Sequence, residues 1–140
     1  MALSEAGLPQ KTDWVAINDE DNKRSSDVAT GQQMVSKLFT AGVTGIFCYN
    51  DMVAVGALLA CQELGILVPQ DLSLVGFDGI ALSRYVTPPL TTVSQPMLEI
   101  RRLAMQMLLD LLKEKSVENR VLSPVLVKRG SSAPLKNNCN

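Results

Sequence analysis

Gly45-Ile46-Phe47-Cys48-Tyr49-Asn50-Asp51-Met52-Val53-Ala54-Val55-Gly56-Ala57-Leu58-Leu59-Ala60-Cys61-Gln62-Glu63-Leu64-Gly65 holds a strand, a tight turn and a helix in immediate succession. Residues 45–49 form a continuous apolar run, which suits a strand buried on both faces. Asp51 then opens a helix that continues to Leu64, and Gly65 supplies the left-handed stop. Leu72-Ser73-Leu74-Val75-Gly76-Phe77 repeats the buried-strand pattern and ends at Asp78-Gly79, where the chain should turn. Strands joined through a helix lie parallel, because a crossover is the connection that returns the chain to the same end of the sheet. The expected fold class is α/β, a parallel sheet with helices on both faces.

The flanking sequence extends the alternation in both directions. On the N-terminal side, Val28, Gly31, Met34, Val35, Leu38 and Phe39 fall at helical spacing, with Ser25 or Ser26 available as a cap and Gly42 as the stop. Before them, Asp13-Trp14-Val15-Ala16-Ile17 reads as a short strand followed by a polar loop over 18–26. Trp14 would pack within or at the edge of that strand. Residues 1–7 read as the last turns of a helix ended by Gly7 and Pro9. On the C-terminal side, Pro88 and Pro89 forbid regular helix, and 90–95 is extended and β-branched, as a connector between lobes would be. Leu98, Ile100, Leu103, Met107, Leu108, Leu111 and Leu112 form one broad stripe of a helix over 97–115. A last short strand is expected over 124–128, and residues from Gly130 onward read as a polar tail that frays.

The 140 residues suffice for one ordinary core, and aromatics at 4% require that core to be aliphatic. Thirteen basic residues are offset by 14 acidic ones without a basic stripe, which argues against nucleic-acid binding by this segment itself. No apolar run approaches the roughly 20 residues that a membrane-spanning helix needs, and the N-terminus has no secretory pattern. Cys48, Cys61 and Cys139 are widely spaced and no histidine is present to complete a zinc set, so no metal or cofactor is expected. Cys48 and Cys61 are most simply small core residues in a reducing cytoplasm. A dinucleotide-dependent enzyme is disfavoured by the absence of a Gly-x-Gly-x-x-Gly turn, a phosphate loop and histidine. The expectation is a binding protein with no catalytic residues.

Ligands of open α/β sheets bind beyond the carboxyl ends of the strands. That rule selects Asn50 and Asp78, an amide and a carboxylate suited to a polyhydroxylated ligand. Asn and Asp are equally ordinary turn and cap residues, and Asp51 reads first as a cap or first-turn residue. Gln95 stands either as a hydrogen-bonding hinge residue or as an exposed loop glutamine.

Four ordered motifs carry a family resemblance. Residues 49–58 (Tyr49-Asn50-Asp51-Met52-Val53-Ala54-Val55-Gly56-Ala57-Leu58), then Val68-Pro69-Gln70-Asp71-Leu72-Ser73-Leu74-Val75-Gly76-Phe77-Asp78, Pro88-Pro89-Leu90-Thr91-Thr92-Val93-Ser94-Gln95-Pro96 and Leu126-Val127-Lys128-Arg129-Gly130-Ser131-Ser132, resemble the lactose/galactose-repressor family of transcription regulators. The resemblance implies two similar lobes joined by three strands and closing on a small effector, a sugar or nucleoside, in a periplasmic-binding-protein-like core. It assigns Asn50 and Asp78 to effector binding, and Thr92, Val93 and Gln95 to the hinge. Met52, Val55, Leu59, Tyr85 and Val86 fall on a homodimer surface.

By the same resemblance, residues 1–96 are a partial C-terminal lobe and 97–120 a helix of the N-terminal lobe. Residues 121–132 are the return strand and 133–140 a tail. DNA would be contacted only through a head region outside this chain. The lobe's first, normally central, strand and an aromatic that stacks on the ligand, sought around Lys23 to Ser26, have no counterpart, so the sheet is expected to carry a vacancy with unpaired backbone groups on either side. A fragment of a periplasmic sugar receptor and a truncated remnant are the alternatives to a repressor's effector-binding portion.

Overall fold

The computed structural model describes residues 5–7, 11–16 and 28–135. In chain order they contain α1 (Val28–Thr40), β1 (Gly45–Phe47), α2 (Asp51–Leu64), β2 (Ser73–Asp78), β3 (Thr91–Ser94), α3 (Met97–Leu112) and β4 (Val125–Val127). The sheet runs β1-β2-β3-β4, with β1 to β3 parallel. Asp78 lies opposite Ser94, which levels the carboxyl ends of β2 and β3, while β1 ends at Phe47 opposite Val75, three residues short of them. The sheet is not wholly parallel: β4 is antiparallel to β3, with Val125 opposite Ser94 and Val127 opposite Thr92. The chain leaves the sheet at the end of β3, forms α3, and re-enters at the end by which it left, so β4 must run the other way.

α2 begins and ends where its sequence says. Asn50 has extended backbone and its Oδ1 accepts from Val53 N at 2.8 Å, while Gly65 takes φ 69°. The inward stripe Ala54, Ala57, Leu58 and Cys61 packs with Leu72, Leu74 and Leu90 in an aliphatic core that Val35 of α1 joins. Small residues let α1 approach α2 backbone to backbone. A Cβ at Gly31 would collide with the Val53 carbonyl oxygen, and one at Gly56 with that of Val28. The opposite side of the sheet carries Phe47 and Phe77, whose rings meet edge-on at 6.4 Å.

The expected strand over 13–17 is not formed in its described part. Thr12–Trp14 is a 3-10 turn, with Val15 N donating to the Thr12 carbonyl at 3.0 Å, and Trp14 is 39% exposed beneath the Lys11 ammonium. A strand needs a neighbour to take its backbone groups, and none adjoins this segment among the described residues, so the Trp14 and Val15 amides turn to the local Lys11 and Thr12 carbonyls. Among the described residues, the outer edge of β1 opens onto a groove of about 770 Å³ lined by Trp14, Val15, Met34, Leu38, Phe47 and Tyr49, among others. Ile17, the loop 18–26 and its capping serines, residues 1–4, Pro9 and 136–140 lie outside the described residues.

The polar segment after Gly130 is a second correction. Ser131 is fully buried: its Oγ accepts from Thr91 N at 2.8 Å and donates to the Leu74 carbonyl at 2.6 Å, and its own N–H donates to the Pro89 carbonyl. A hydroxyl both donates and accepts, so it ties β2 to β3 where two carbonyls and an amide converge. α3, shorter than expected at its C-terminal end, has no buried residue, and Leu112 is 73% exposed.

Candidate functional site

The carboxyl ends of β1 and β2 bring Asn50 and Asp78 to one rim of the sheet. Each lies three residues beyond a paired position, Phe47 and Val75, and each remains partly accessible. Asn50 is the cap of α2, so its Oδ1 is engaged by the backbone. Asp78 adopts φ 109°, a region that costs a non-glycine residue about 1–3 kcal/mol and persists only where surroundings enforce it. Those surroundings come from the connector. Gln95 Nε2 donates to Asp78 Oδ1 at 2.8 Å, Gln95 N donates to the Asp78 carbonyl at 3.3 Å, and Gly79 lies against Ser94 so closely that a Cβ would be 2.6 Å from the serine Cβ.

Asp51, read from sequence as a cap or first-turn residue, does something different. Its side chain is fully buried, with Oδ1 accepting from Thr92 Oγ1 at 2.6 Å and Oδ2 from Ile80 N at 2.8 Å. One carboxylate therefore joins the start of α2, the middle of β3 and the loop after Asp78. It passes directly over Gly76, where a Cβ would collide with Asp51 Oδ1. Sequence offered only a weak sign of this, a charged residue two positions after an apolar run, and nothing in it identifies Thr92 or Ile80 as the partners.

The hinge candidates separate. Thr92 and Val93 are ladder residues of β3, bonded on both sides, and Thr92 is buried against Asp51. Gln95 alone lies beyond the strand, touching Asp78 and leading into α3. Met52, Val55 and Leu59 share one stripe of α2, of which Met52 and Leu59 are exposed and Val55 is buried at 8%. Tyr85 is 80% exposed beside half-buried Val86.

Cys48 and Cys61 are buried free thiols. Burial pushes the Cys48 thiol up to about 12, with Cys61 and Asp51 adding to the effect. Among the described residues no group of three or more His, Cys, Asp or Glu could hold a metal ion, and no helix is long and apolar enough to cross a membrane.

Residues 1–132 match the family model described as a periplasmic binding protein-like domain. A PurR-type transcriptional repressor of Aliivibrio salmonicida is 39% identical over 133 residues, 93% of this chain and 38% of that protein. The ribose operon repressor of Haemophilus influenzae is 38% identical, over 96% of this chain and 40% of its own length. The chain thus spans about two-fifths of these curated relatives. Among solved structures, the transcription regulator CcpA of Lactococcus lactis superposes with a TM-score of 0.84 at 28% identity, covering 94% of this chain and 47% of that one. A LacI family regulator of Enterococcus faecium with bound ribose superposes at 0.75 and 36% identity, covering 79% and 42%.

Proposed function

Because the chain belongs to the periplasmic-binding-protein-like domain family, we propose that it forms one wall of the effector-binding cleft of a bacterial transcription repressor. The effector is a neutral, hydroxyl-rich small molecule of the sugar or nucleoside class, bound at the rim by Asp78 with Asn50 beside it. Residues 1–96 and 121–132 build the C-terminal lobe, and 97–120 belong to the facing lobe. The exposed apolar stripe of α3 supports that division, since a helix with no buried residue needs a partner beyond this lobe. The protein acts by binding rather than catalysis, in the cytoplasm, as a homodimer through Met52, Val55, Leu59, Tyr85 and Val86. It meets DNA only through a head region outside these residues.

The observation that carries the reading is the Asp78 carboxylate. It stands accessible at the strand tips, with one oxygen held by Gln95 and Oδ2 without a partner among the described residues. Ribose-bound and cellobiose-bound regulators among the structural neighbours support the ligand class. Calorimetric titration with ribose tests it. Binding should weaken about 10–100-fold in Asp78→Ala, the worth of a hydrogen bond to a charged group. Equal affinity in that variant would remove Asp78 from the site.

A further inference from the structure

The geometry points to Gln95 as the positioning residue of the cleft: its carboxamide holds the Asp78 carboxylate in place and ties that carboxylate to the point where the chain leaves the lobe. The inference rests on the reading of Asp78 as an effector contact and goes beyond it by naming what aims Asp78 and what feels its engagement.

Three bonds meet at Gln95. Its side-chain amide donates to Asp78 Oδ1, its N–H donates to the Asp78 carbonyl, and its own carbonyl accepts from Met97 N at 2.8 Å at the start of α3. The Asp78 backbone, at φ 109°, would relax toward an ordinary conformation if nothing held it. Beneath it, Gly79 lies directly against Ser94, so a shift of the connector toward the turn must displace the turn. Asp51 fixes the far side of the same turn through Ile80 N and so supplies an anchor against which Gln95 works.

Two consequences follow for the cleft. With Oδ1 engaged, the carboxylate presents Oδ2 as an acceptor, which selects an effector with a hydroxyl or N–H at that position and disfavours an anionic group there. An effector that draws on the carboxylate also alters the Gln95 contact, and with it the direction in which α3 departs. That is a differential interaction of the kind by which a ligand biases two arrangements of a protein.

The test exchanges donor and acceptor and reads backbone hydrogen exchange in the ligand-free chain. Gln95→Glu sets two carboxylates against each other, and exchange over 78–80 and 95–98 should accelerate about tenfold or more while α2 is unchanged. Adding Asp78→Asn restores a donor facing an acceptor with reversed polarity, and exchange in both windows should return toward the parent. Gln95→Asn, which keeps the amide but shortens its reach, should behave like Gln95→Glu and serves if the latter fails to fold. Unchanged exchange in the single variants, or no return in the double variant, overturns the inference. A second arm titrates ribose into the parent chain and Gln95→Asn. Absence of binding to the parent would count against the effector reading alone, because the exchange experiment judges the Gln95 link without ligand.

Discussion

Replacing Asp51 by alanine should be among the most damaging single changes available in this lobe, and the cost can be worked from its contacts. The carboxylate is fully buried and holds two donors, the Thr92 hydroxyl at 2.6 Å and the Ile80 amide at 2.8 Å. Alanine leaves both without an acceptor, at about 1–3 kcal/mol for each unsatisfied buried group, or about 4 kcal/mol in total. Domains of this kind are stable by about 5–15 kcal/mol, so a large part of the total would be lost. At about 3 °C per kcal/mol for a chain of this length, the melting temperature should fall by about 12 °C.

Asp51→Asn separates hydrogen bonding from charge. The amide oxygen can serve Ile80 N–H while the Thr92 hydroxyl rotates to accept from the new amide nitrogen, so the cost should stay near 1 kcal/mol. Urea denaturation followed by circular dichroism measures both variants. An alanine variant within about 1 kcal/mol of the parent would refute the reasoning, as would an asparagine variant as unstable as alanine.

Three further outcomes follow from the packing. Gly31→Ala and Gly56→Ala each drive a methyl group into a backbone carbonyl of the crossing helix, and each should lose about 1–3 kcal/mol in the same denaturation experiment. Parent-like midpoints would show that α1 and α2 do not cross so closely. Ser131→Ala strands the Thr91 amide and the Leu74 carbonyl and should lower the unfolding free energy by about 2 kcal/mol, an effect that a fraying tail would not produce. The Cys48 thiol holds its proton up to about 12 when folded, whereas an unfolded cysteine ionises near 8.5. The folded state therefore binds more protons above the lower value, so this contribution to stability is intact below about pH 8.5 and declines as pH rises toward 12. Urea midpoints between pH 8 and 10 should fall more steeply in the parent than in Cys48→Ala, and parallel slopes would contradict that.

The sequence by itself determined the alternation of strands and helices, because apolar period and stop residues are local properties. The strand within 45–49, the helix Asp51–Leu64 with Gly65 after it, and the placement of Asn50 and Asp78 at strand ends could be read without coordinates, whereas the burial of 45–49 on both faces could not: β1 lies at the sheet's edge among the described residues, with Phe47 65% and Tyr49 77% exposed. Tertiary structure decided what depends on partners distant in sequence. Residues 13–17 carry strand chemistry, yet the described part forms a turn because a strand is defined by its neighbour. Ser131 looks like tail and is core, because the groups it satisfies belong to Leu74, Pro89 and Thr91. Asp51 looks like a cap and is a cross-brace, and Gln95 looks like a loop residue and holds Asp78. A polar side chain's role is set by which donors and acceptors fold against it, and spacing along the chain does not record that.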